Sequence, residues 1–125
     1  MGKKKNAAQG GSKKKARSGR IEVESDDFSE NLVHLVGRCS TPAVEKALPS
    51  GDKVAEFRIV VKRDDREGFD TFDITFWKSD LRRRALTLRA DEWIRVSGVL
   101  RRRFWRAGSV VQSRWQVEGR ELNRI

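Results

Sequence analysis

The stretch FDTFDITFWKSDLRRRALTLRADEWIRVSGVLRRRFW, residues 69–105, reads as a strand, a short helix and a second strand. It opens in alternation, with Phe72, Ile74 and Phe76 on one face and Thr71, Asp73, Thr75 and Trp77 on the other. That period of two, rich in aromatic and β-branched residues, marks a half-buried strand. The period then changes. Ser79 is a good N-cap, Asp80 suits a first helical turn, and Leu81, Ala85 and Leu88 recur at i, i+4 and i+7. Arg82, Arg83 and Arg84 fall on the outer side of this helix. From Glu92 the chain returns to strand character as far as Trp105, and Gly98 is the expected position of a bulge.

Outward from this stretch the texture is of short strands at regular spacing. NLVHLVGR, residues 31–38, is an apolar strand stopped by Gly37. Residues 40–53, with Pro42, Pro49 and a Pro-Ser-Gly turn signal, read as a loop. VAEFRIVVKR, residues 54–63, places Ala55, Phe57, Ile59 and Val61 opposite Glu56, Arg58, Val60 and Lys62. DDREG is a charged turn, RAGSVVQS (residues 106–113) reads as a loop, and RWQVEGREL (residues 114–122) as a last strand. The predicted order is β–β–β–α–β–β. That is an all-β chain with the order of an OB-fold, a five-stranded partly open barrel with one helix between strands 3 and 4. The barrel is expected over residues 30–125.

Residues 1–29 have a different character. Lys3, Lys4, Lys5, Lys13, Lys14, Lys15, Arg17 and Arg20 occur without an acid, and Glu22, Glu24, Asp26, Asp27 and Glu30 follow without a base. A segment so poor in apolar residues cannot offset its ordering entropy, so a disordered tail is expected, basic over 1–20 and acidic over 21–30. The whole chain carries +10, and the barrel region alone also has more Lys and Arg than Asp and Glu. Such a balance points to a polyanion, nucleic acid or an anionic membrane. No apolar run approaches the roughly 18 residues of a membrane span, and no secretory signal is expected. MGKKKN has Asn6 where a myristoylation signal needs Ser or Thr. The single Cys39 has no internal disulfide partner, which fits a reducing compartment such as bacterial cytoplasm, at the nucleoid.

Catalysis is not expected. His34 is the only histidine and sits within a strand, where a structural role is expected. No Cys/His set has metal-ligand spacing and no glycine-rich phosphate loop precedes a helix, so neither a metal nor a cofactor is expected. Asp64–Asp65 and Asp91–Glu92 lie in predicted turns, where charged residues are ordinary.

The chemistry lies instead in VLRRRFW. Arg101, Arg103 and Trp105 share one parity, and Leu100, Arg102 and Phe104 the other. Trp77 likewise opposes the core parity of its strand. Outward tryptophans flanked by arginines suit a single strand, whose bases stack on the rings while its phosphates meet the cations. Arg58 and Lys62 are further candidates, and Arg102 is expected to matter less than its neighbours. These residues resemble the bacterial single-stranded DNA-binding proteins over residues 30–125. NLVHLVGR is similar to that family's Asn-x-Val-x-Leu-Val-Gly strand, LPSGDKVAEFRIVV to its Pro-Asn-Gly-Gly loop and second strand, and VSGVLRRRFW to its Glu-Gly-x-Leu-Arg-x-Arg-x-Trp strand. The resemblance implies that Trp105 and Trp77 stack bases and that Arg101 and Arg103 hold phosphates. It also implies sequence-independent binding of single-stranded DNA in replication, repair or recombination, and a dimer or tetramer. There are departures. The family's aromatic beyond its second strand has no clear match, although Phe69 lies nearby, and Asp73 stands at a basic position. The family's acidic C-terminal tip, which recruits replication and repair enzymes, has no counterpart before Ile125, so a tail-less member or paralogue is expected. An RNA-binding OB module remains open, as does an accessory protein acting through protein contacts, which would bury Trp77 and Trp105 in a subunit interface.

Overall fold

The computed structural model describes residues 26–125, so of the disordered tail expected over 1–29, residues 1–25 lie outside the described residues, and 26–29 have neither helix nor strand. These residues form β1 (Val33–Cys39), β2 (Val44–Ala47), β3 (Lys53–Lys62), β4 (Phe69–Phe76), α1 (Ser79–Ala85), β5 (Trp93–Ala107) and β6 (Val110–Arg124). The sheet order is β1-β5-β6-β4-β3-β2, and an additional β1–β3 pairing brings its ends together. Five strands thereby close an OB barrel, with the helix between β4 and β5. Two seams are short. β4 meets β6 in parallel only at Ile74↔Val117 and Thr75↔Glu118, and β1 meets β3 only at Arg38↔Val60 and Cys39↔Ile59.

The inward parity of each strand supplies the core. Ala55, Phe57 and Ile59 from β3 meet Ile74 and Phe76 from β4, Ile94 and Val96 from β5, and Val117 and Leu122 from β6. The rings of Phe57 and Phe76 stack at 5.9 Å between centroids. Each large side chain withdrawn from water here contributes about 1.5–3 kcal/mol. Leu81, Ala85 and Leu88 close one end of the barrel, as their helical spacing predicts.

Four local expectations are corrected. The expected loop over 40–53 contains β2, a four-residue strand paired with β3 from Val44↔Glu56 to Ala47↔Lys53. It and β1 occupy successive stretches of the same β3 edge, joined where the Ser40 N–H donates to the Arg58 carbonyl. The expected loop over 106–113 is mostly strand: β5 and β6 form one hairpin that turns at Gly108 and Ser109, with φ 67° at Gly108. A glycine first in a two-residue turn matches strand twist. The helix N-cap is Lys78, not Ser79, with no side-chain cap; the Asp80 carboxylate accepts from the Leu81 N–H at 2.9 Å instead. The register shift near Gly98 is present, but the extra residue is on the partner strand. Ser97 pairs with Glu121 and Gly98 with Gly119, leaving Arg120 between. The parity of β5 therefore runs unbroken through Gly98. A Cβ on Gly98 would lie 2.1 Å from the Glu118 carbonyl oxygen, and one on Gly119 would lie 2.2 Å from the Phe76 ring. Two glycines face each other because the strands and the core ring leave no space for more.

Candidate nucleic-acid interface

Because cross-strand partners share a face, the register alone assembles one outward surface over β3, β4, β6 and β5. β3 contributes Glu56, Arg58 and Lys62; β4 contributes Phe69 and Asp73, with Trp77 just beyond its end. The β5–β6 hairpin adds Arg101↔Gln116, Arg103↔Arg114 and Trp105↔Gln112. The expected parity of Arg101, Arg103 and Trp105 therefore holds.

The side chains interleave rings with cations. The Arg103 guanidinium lies over the half-buried Trp77 ring at 5.2 Å, joining two residues that the sequence places on different strands. It also approaches Gln116 Oε1 at 3.4 Å and Glu56 Oε2 at 3.8 Å. Arg114 lies over Trp105 at 5.7 Å, and Trp105 is 43% exposed. The Trp77 carbonyl is held by the Arg82 guanidinium, which also pairs with Glu45 at 3.2 Å. Arg82 thus braces the end of β4 rather than standing free in solvent.

Carboxylates thread the same surface. Asp73 accepts from Arg58 at 3.0 Å and faces Arg114 at 3.7 Å; Glu118 faces Arg101 at 3.4 Å. Each of the arginines on this face at positions 58, 101, 103 and 114 has a carboxylate within 4.0 Å. The cations are held in place, and their charge is locally offset. Lys62 sits apart at the end of β3, directly opposite Phe69, whose ring is 55% exposed.

Arg114, Gln116 and Phe69 are the members that sequence reasoning missed or left unplaced. Arg114 and Gln116 lie beyond a hairpin turn that was expected to be a loop. The signal for them was the glycine of that turn, which sets them opposite Arg103 and Arg101. Arg102 and Phe104 face the other side of the hairpin, but they do not enter the core: Phe104 is 63% exposed.

No metal-binding group of three or more His, Cys, Asp or Glu occurs among the described residues. His34 Nδ1 is paired with Ser97 Oγ at 2.9 Å. Cys39 is buried, its thiol donates to the Thr41 carbonyl at 2.9 Å, and burial pushes its pKa up, so it is a poor nucleophile. Asp91 and Glu92 serve the turn before β5. The Asp91 N–H donates to the Cys39 carbonyl at 2.7 Å, and Glu92 accepts from the Arg89 N–H at 3.0 Å.

The model of the Single-strand binding protein family matches residues 30–125. The chain belongs to that family. As a single-strand binding protein it shares its fold with a Plasmodium falciparum SSB solved in complex with ssDNA, at 22% identity and a TM-score of 0.61. The similarity covers 81% of this chain and 99% of that one. No curated protein matches the chain in sequence. Among the described residues of this family member, no helix is long and apolar enough to cross a membrane.

Proposed function

We propose that this chain coats single-stranded DNA without sequence preference by stacking bases on Trp77, Trp105 and Phe69 and holding phosphates with Arg58, Lys62, Arg101, Arg103 and Arg114. The observation that carries this reading is the alternation of rings and guanidiniums across one outward sheet face. Every base has a π-face, so such a surface accepts any sequence, at about 1–3 kcal/mol per stacked base. Phosphates then compete with Asp73, Glu56 and Glu118 for cations that are already aimed. This needs no bond-making chemistry, and the chain works as a binder rather than an enzyme. Its task is to shield exposed strands during replication, repair or recombination, in the cytoplasm at the nucleoid and as a dimer or tetramer. The segment over 1–29 is a tail whose basic part adds a non-specific tether.

A poly-dT titration followed by tryptophan fluorescence tests the site. Trp105→Ala should weaken binding by about 1–3 kcal/mol with little change in salt slope. Arg103→Ala should lower the slope of log affinity against log salt by about 0.7. If Trp105→Ala unfolds the protein while binding per folded molecule is unchanged, the stacking assignment fails. Preferential capture of a matched RNA oligomer in competition would replace DNA with RNA as the ligand.

A further inference from the structure

The β5–β6 hairpin has a second face, which the proposed site does not use. On it Arg102 pairs across the ladder with Trp115, and Phe104 with Ser113. The Arg102 guanidinium lies 5.4 Å from the Trp115 ring centre and 5.5 Å from that of Phe104. Its Nε and Nη2 donate to Ser113 Oγ at 3.2 and 2.9 Å, which holds the guanidinium within reach of both rings. Trp115 is 55% exposed, and Leu100, Val111 and Arg106 extend the same face in water.

Charge separates the two faces. Arg101, Arg103 and Arg114 each meet a carboxylate on the first face. On the second face, neither Arg102 nor Arg106 forms an ion pair with a carboxylate among the described residues. Exposed rings beside cations that meet no carboxylate among the described residues are complementary to a strand of bases and phosphates. A second copy of the chain is a poorer fit, because a two-fold contact sets the patch against itself and brings Arg102 and Arg106 towards their own copies.

We infer that this face is a second base-stacking platform, on which Trp115 and Phe104 take bases while Arg102 and Arg106 take phosphates, so that a long single strand engages both sides of the hairpin. The inference rests on the proposed single-strand binding at the first face.

The test uses the full chain and two oligo-dT probes. One lies within the roughly 4–16 nucleotides that a single OB-fold covers, and the other is about twice as long. Trp115→Ala should weaken the longer probe by roughly tenfold and leave the shorter almost unchanged, with Trp115→Phe restoring most of the loss. Arg102→Ala should lower the salt slope by about 0.7 for the longer probe only. Circular dichroism and sedimentation without DNA verify fold and mass for each variant. If Trp105→Ala weakens both probes while Trp115→Ala and Arg102→Ala change neither affinity nor slope, the second platform is overturned and the first survives. If all three variants bind both probes like the parent, both readings fall. If Trp115→Ala changes only the mass of the free protein, the face is a subunit contact and the inference is overturned.

Discussion

Asp73 is shared by two arginines from different strands, Arg58 at 3.0 Å and Arg114 at 3.7 Å. A single carboxylate thus restrains two cations of the proposed site. Asp73→Asn should raise affinity for oligo-dT several-fold at low salt and steepen the salt slope by about 0.7 for each arginine released. A fluorescence titration over a salt series checks this, and an unchanged slope would place both arginines away from the strand. Glu92 illustrates a carboxylate with a structural task. The Arg89 N–H and then the Arg124 guanidinium, at 3.0 and 2.5 Å, hold its pKa below the usual carboxylate range. Its contribution to stability is therefore complete above the unfolded value of about 4.3 and is lost as pH falls through the lower folded value. Glu92→Gln should melt at a lower temperature than the parent at neutral pH, and the gap should close in acid. Thermal melts across the carboxylate range measure it.

Among the elements, legibility followed burial. β3, β4 and the first half of β5 each set one face in the core, so their alternation was plain in the sequence. β2 was not legible, because all four of its residues are exposed and prolines flank it. The outer part of the hairpin was missed for a related reason. Val110, Val111, Gln112 and Ser113 have water on both sides and show no alternation to read. The same split runs through the candidate site. Parity alone placed Arg101, Arg103, Trp105 and Trp77 outward. Their partners needed register, since Arg103 reaches Trp77, and Arg114 reaches Trp105, only across strands. The carboxylates that offset the arginines come from strands distant in sequence, and no local pattern announces them. Packing at the β5–β6 crossing is equally specific. Gly119→Ala drives a methyl against the Phe76 ring and should cost about 1–3 kcal/mol, read as a lower denaturant midpoint at constant m-value.

For the whole molecule, the excess of positive charge is divided between the segment before the barrel and the barrel itself. Deleting residues 1–20 should lower affinity and salt slope modestly while leaving fluorescence quenching by poly-dT intact. Loss of all binding would make that segment, not the barrel, the binder. The hairpin that projects from the barrel has its own thermodynamics. Outward of the Arg101↔Gln116 pair, the ladder between β5 and β6 contains no buried residue. Its hydrogen bonds can open from the Gly108 turn inward without wetting the interior, so this segment breathes at a free energy below that of global unfolding. Trp77, at the barrel end, and Trp105, on the hairpin, thus sit in regions of different local stability. A strand stacked on both would couple those regions, and slower amide exchange along the hairpin would be the trace it leaves.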